Sequence, residues 1–198
     1  MMKRIALLII AGLGLALAVR GLAPHGGGGE SKLKLSRFEA TLELPVSFEY
    51  PEGWKLKEEK GTVQNYRQAR IMGPRNEDDT YSASISVVGY PLRKDGGRFD
   101  DLAGMIRNFK EHQIGEEKME QEKMTVVGGQ PAVDMTISTV IPPLLHRGTK
   151  NLEVPVKNRT LFVQRGESLY RITYSADSRM YDSHSKEFEH LLGSLQFR

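Results

Sequence analysis

Two residue sets near the C-terminus have types and spacing that could do chemistry. His184, Glu187 and His190 fall within one short stretch, and a Glu-x-x-His pair is a metal-ligand spacing on helices. The two histidines are six residues apart, however, which puts them about 120° apart around a helix. One metal ion would need further ligands from elsewhere, so the expectation is no metal site and a solvated helical face. Ser183-His184-Ser185-Lys186 has the Ser-x-x-Lys spacing of penicillin-binding enzymes. The companion Ser-Asp-Asn and Lys-Thr-Gly motifs are missing, and the chain is too short for that fold, so the match is read as chance. There is no Gly-x-Ser-x-Gly elbow, no P-loop and no dinucleotide fingerprint. Without a nucleophile–base pair or a metal triad, the residues point away from an enzyme and from any bound cofactor.

Four other places could bind. Asn76-Glu77-Asp78-Asp79 is a turn-like acidic patch without calcium-loop spacing. Asn158-Arg159-Thr160 is a formal glycosylation sequon. Phe48-Glu49-Tyr50-Pro51-Glu52-Gly53-Trp54 joins an aromatic pair on one strand face to a turn and the only tryptophan. Such a cluster could stack a ligand, but burying large rings removes much apolar area from water, so a core anchor is expected. Finally, Pro142 to Val156 is a connection longer than a hairpin needs. It places Leu144 and Leu145 beside His146 and Arg147, an apolar tip with a basic rim. These four are the candidate partner-contact residues; the alternative is that both leucines cap the sheet's apolar face.

The elements that must position these residues follow a leader. Lys3 and Arg4 precede an apolar run from Ile5 to Val19, which ends in Ala16-Leu17-Ala18. That order marks a secretory signal. As a helix the run would span roughly 22 Å, short of the ~30 Å hydrocarbon core, which favours cleavage; Arg20 and the Gly26–Gly29 run would suit an anchor. The expected organisation is a signal peptide or N-terminal membrane anchor over 1–23, a Gly-rich tether over 24–37, and one domain over 38–198.

Of the 28 lysines and arginines, three lie in that leader, which leaves 25 against 25 acidic residues. The domain is formally neutral, so it has little long-range pull on nucleic acid, and no nucleic-acid partner is expected. Cysteine is absent, which excludes disulfides and thiolate sites.

Within the domain, Val46/Phe48/Tyr50, Ala83/Ile85/Val87, Val133/Met135/Ile137 and Tyr170/Ile172/Tyr174 alternate with polar residues. Strands of that kind belong to an antiparallel sheet. Gly128-Gly129 and Arg165-Gly166-Glu167-Ser168 predict two hairpins. Phe99, Leu102, Met105, Ile106 and Phe109 share a helical face behind Asp100 and Asp101, and Phe188, Leu191, Leu192 and Leu195 share another. Gly193 is expected to stop the second helix before a closing strand at Leu195 and Phe197. The charged run Glu116–Lys123 reads as a solvated edge. A sheet with amphipathic helices packed on it is an α+β architecture.

The Phe-x-Tyr-Pro-x-x-Trp pattern at Phe48–Trp54 resembles the opening of PsbP-like proteins. The long strand opened by Gly129-Gln130-Pro131-Ala132, the Leu161–Tyr174 hairpin, and a terminal helix with Tyr181, Phe188 and Leu192 resemble their C-terminal half. The resemblance covers roughly residues 38–198. It implies a central antiparallel sheet flanked by helices in an α/β/α sandwich, with no catalytic residues to carry over. The best-known members of that family are extrinsic subunits on the lumenal side of photosystem II. The expected function is therefore an exported, non-enzymatic PsbP-like domain that binds or stabilises a protein partner at the outer face of the cytoplasmic membrane. Its membrane association would run through the N-terminal segment. The alternative is a small-ligand or metal-binding periplasmic domain.

Overall fold

In the computed structural model, the described residues are 33–61, 65–112, 117–142 and 153–198. The leader, its Ala16-x-Ala18 pattern and the Gly26–Gly29 run lie outside them, as do Leu144, Leu145, His146 and Arg147. Residues 33–198 form one compact unit.

Seven antiparallel strands make the main sheet. In chain order they are β3 (Lys55–Gly61), β4 (Tyr66–Arg75), β5 (Ser82–Pro91), β6 (Glu117–Val127), β7 (Gln130–Ile141), β8 (Val154–Arg165) and β9 (Ser168–Asp177). Their spatial order is β3-β4-β5-β9-β8-β7-β6. The two expected hairpins, β6–β7 and β8–β9, are present and extend into a meander from β6 to β9. A smaller sheet places β2 (Val46–Pro51) between β1 (Leu35–Phe38) and β10 (Gln196–Phe197). β1 begins inside the segment read as tether. Four residues offer too short an alternation to register as a strand, and pairing with β2 supplies what periodicity could not.

The alternation of the strands divides the side chains between two apolar clusters. Ile71, Ile85, Leu161, Ile172 and Tyr174 point to the face covered by the small sheet and α2 (Ser185–Ser194), whose Phe188, Leu191 and Leu192 are buried there. Val88, Tyr90, Met135, Phe162 and Leu169 point the other way, under α1 (Leu102–Glu111). Helices therefore cover both faces, which makes an α/β/α sandwich. Asp101 caps α1, its carboxylate accepting from the Gly104 N–H at 2.7 Å. Phe99 precedes that helix, bridged to Leu92, and joins its apolar face through the cluster.

Gly193 does not end α2, which continues to Ser194. The Ser194 hydroxyl explains the extra turn, since it donates to the Leu191 carbonyl at 3.0 Å and accepts from the Glu49 N–H at 2.9 Å. A bond to the neighbouring strand holds the helix end against the roughly 1 kcal/mol helix penalty of glycine.

The β6–β7 turn shows why two glycines were needed. Gly128 and Gly129 have φ of +54° and +75°, the sign that a two-residue type I′ hairpin demands. They differ in surroundings: a Cβ on Gly128 would lie 2.8 Å from the Phe197 ring and 3.0 Å from the Leu195 carbonyl oxygen, whereas Gly129 faces open space. We expect Gly128→Ala to cost about 2–3 kcal/mol of stability and Gly129→Ala about 1 kcal/mol. Urea denaturation of the two variants checks this; equal losses would mean that Phe197 does not pack on the turn.

Candidate functional site

The aromatic cluster near the start of the domain is structural. Phe48 is fully buried and stacks on Phe38 with centroids 4.9 Å apart. Trp54 is a half-buried rim residue, its indole over Gly73 and edge-on to His184 at 5.8 Å. The absent Gly73 side chain makes room for that ring.

The two histidines do not share one helix: His184 ends a short 3₁₀ turn before α2, and His190 lies within α2. His184 Nδ1 lies 3.3 Å from Glu187, while His190 Nε2 lies 2.8 Å from Glu49 on β2. Among the described residues, no three histidines or carboxylates are grouped to hold a metal ion. Asn158 sits mid-strand in β8, paired between Ile137 and Ser175. The acidic patch is not a free cation site either: Asn76 and Thr80 are buried and bonded to each other, and Asp78 bonds Arg179 at 2.9 Å.

A different surface stands out, the outer edge of β6. It runs 11 residues, and beyond β7 it has no second partner strand among the described residues. Such an edge presents unpaired N–H and C=O groups. Its side chains alternate, and a register shift near Glu120 sets the phase beyond it. On the α1 side stand Met124 and Val126, each 69% exposed, with Glu122 held to α1 by Lys110 at 2.8 Å. On the α2 side a polar cavity of about 480 Å³ is lined by Glu120, Lys123, Lys157, Arg159, Tyr181 and Glu189. The opposite edge, β3, is blunted by Lys55, Lys57, Glu58, Glu59 and Lys60.

The charges of that cavity satisfy one another. Arg159 donates to both oxygens of the buried Asp134 at 2.9–3.1 Å, pairs with Glu189, and lies 5.6 Å over the Phe188 ring. Lys157 pairs with Glu120 at 2.9 Å and stands 5.1 Å over Tyr181. The Glu120 carboxyl is held below its ordinary range by its bonds from Ser138 and Lys157. Burial raises the Tyr181 hydroxyl to about 12, so it stays a neutral hydrogen-bonding group at physiological pH. A paired, neutral set of this kind can recognise polar side chains but holds no activated nucleophile.

The sequence offers Glu116–Lys123 as a charged edge and Thr125–Val127 as a hairpin arm, and does not by itself join them into one strand with Met124 and Val126 on its exposed side. A partial signal was present in Met119, Met124 and Val126, interleaved with the charges.

No family model matches the chain. It is 38% identical over 73 residues to Bombinin-like peptides 1 of Bombina variegata, a match covering 35% of this chain and 53% of that protein. The chain thus spans about half the length of the curated relative it matches, too little to assign a family. Among solved structures it is similar to the cyanobacterial PsbP of Synechocystis sp. PCC 6803, with a TM-score of 0.51 and 15% identity over 89% of this chain and 100% of that one. It is also similar to LpqN of Mycobacterium tuberculosis, a protein involved in cell envelope biogenesis. There the TM-score is 0.50 and the identity 10%, over 82% of this chain and 90% of that one. At such identities the likeness is one of fold, and the fold of this chain is PsbP-like.

Proposed function

We propose that the chain is an exported, non-enzymatic domain that binds or stabilises a protein partner at the outer face of the cytoplasmic membrane. One observation carries the partner reading: Met124 and Val126 are exposed on the outer side of β6, which has no further partner strand among the described residues. An extended segment of the partner adds to that edge as a further strand. Main-chain bonds supply affinity, and alternate side chains meet an apolar strip on one side and a polar cavity on the other. The segment that fits is itself amphipathic, apolar and polar in turn. The leader supports export, and the role of LpqN in the envelope on a similar fold agrees with that address. Among the described residues, no helix is long and apolar enough to cross a membrane; the apolar run Ile5–Val19 is the segment to which we assign membrane association.

The test is a double variant, Met124→Asp with Val126→Asp. Both side chains are mostly in water, so stability should change by no more than about 0.5 kcal/mol at each position. Affinity capture from solubilised membranes should lose the partner that the native chain retains. Equal capture by both would overturn the edge reading. A full-length species in the soluble cytoplasmic fraction would overturn the address.

A further inference from the structure

The α1 side of the sheet carries a second concave site that shares no residue with the β6 edge. A cavity of about 350 Å³ opens between α1 and strands β4, β5 and β9. Three aromatic rings form one side of it as a ladder. Tyr66 and Tyr90 have centroids 5.8 Å apart, and Tyr90 and Phe99 are 5.6 Å apart. Phe109 closes the wall from α1, itself edge-on to the buried Phe162 at 4.9 Å.

Two guanidiniums rest on that ladder. Arg98 lies 5.5 Å over the Phe99 ring, and Arg171 lies 6.0 Å over the Tyr90 ring. Arg171 has been brought onto this face by strand alternation. It stands in one row across the sheet with Phe162, Val88 and Gln68. Neither guanidinium has an ion-pair or side-chain hydrogen-bond partner among the described residues, and no described acid lines the cavity. That sets them apart from Arg67, Arg159 and Arg179, each of which is bonded to a carboxylate. An aromatic face fixes a guanidinium from one side and leaves its edge donors free. The remaining polar lining, Gln68, Asn108 and His112, is uncharged or basic rather than acidic.

We propose that this cavity binds a small organic carboxylate with a flat apolar body. The carboxylate is held by Arg98 and Arg171, whose forked N–H groups match its two oxygens. The body lies along Tyr66, Tyr90 and Phe109, and the volume is that of a small-molecule site. Arg98 is exposed and Arg171 half-buried, and each lies over an aromatic ring with no counter-charge beside it among the described residues. A bound anion supplies that counter-charge. This site goes beyond the partner-binding reading and stands or falls separately from it.

The experiment is calorimetric titration of the full chain with naphthoate, with its neutral amide analogue, with inorganic phosphate, and with phosphatidylglycerol vesicles. Naphthoate should bind saturably at one site. The neutral amide should bind at least about tenfold more weakly, because the charge-assisted bonds are gone. Phosphate and vesicles should give no comparable isotherm, as the first lacks the apolar body and the second presents its charge at a surface. Arg98→Gln, at an exposed position, should lose at least about tenfold in naphthoate affinity with an unchanged melting temperature. Arg171→Gln should do the same, and Arg171→Lys should recover only part of it. Equal binding of acid and amide, undiminished binding by Arg98→Gln, or binding to vesicles without naphthoate would each overturn the proposal. The Met124→Asp, Val126→Asp double variant should bind naphthoate normally, so failure at one site is separable from failure at the other.

Discussion

Phe48→Ala should remove about 3–5 kcal/mol of stability, the range for truncating a fully buried aromatic. The residue has no solvent exposure, stacks on Phe38 at an interplanar angle of 17°, and meets Tyr50 edge-on at 6.5 Å. It lies where the small sheet, α2 and the main sheet share one core, so no single element can relax to fill the space. Against a typical total of about 5–15 kcal/mol, that loss leaves the domain near its limit. Trp54→Ala should cost less, about 1–3 kcal/mol, because one side of the indole is already in water. Urea denaturation with a common slope measures both. A Trp54 variant that loses as much as the Phe48 variant would mean that the rim, not the interior, anchors the cluster.

The second large effect is an acid-sensitive lock at the end of β9. Asp177 is completely buried and accepts from Asn76 Nδ2 at 2.7 Å, and from Arg179 through Nη2 at 2.6 Å and the backbone N–H at 2.9 Å. Asn76 in turn holds the β4–β5 turn by accepting from the N–H groups of Thr80 and Tyr81. Burial pushes the Asp177 carboxyl up, but the bonds from Arg179 and Asn76 outweigh it and hold the group at about 2, against an ordinary 3.8. A group lowered on folding stabilises the native state above its unfolded value, and the contribution fades as pH falls through the folded value. The native chain should therefore exceed Asp177→Asn by about 2 kcal/mol at neutral pH. That gap should close as pH drops from about 4 to about 2. Denaturant midpoints across this range decide it, and a gap independent of pH would show that the lock works by shape alone.

Residues with strong local periodicity were legible without coordinates. The faces of α1 and α2, the alternation in β5, β7 and β9, and the turn glycines each repeat a pattern that one chain segment imposes by itself. β3 and β4 were not read as strands. Lys55–Gly61 holds five charged residues and a single leucine, and it is extended because β4 pairs with it, not because its residues prefer that state. β8 begins at Val154, ahead of the hairpin strand expected from Leu161, since its first half is defined by pairing with β7. Asp134 in β7 reads as solvent-facing in the alternation yet is buried, because Arg159 from the next strand meets it there.

By itself, the sequence determined the formal neutrality of the domain, the alternating pattern of its strands and the absence of thiol chemistry. These depend on composition or on neighbours a few residues apart, and no long-range contact can alter them. Tertiary structure alone decided which strands lie at the edges, which charges are paired, and where cavities open. Tyr66, Tyr90, Phe109 and Arg171 come from four separate elements and Arg98 from the connection between β5 and α1, and only the order β4-β5-β9 with α1 laid across it makes them one wall. The same holds for β6, which has no second partner strand among the described residues because the chain returns from α1 to the far side of the sheet and leaves β9 to pair with β5. Pairing partners remote in sequence are selected by the total burial of both faces, a quantity that no local pattern contains.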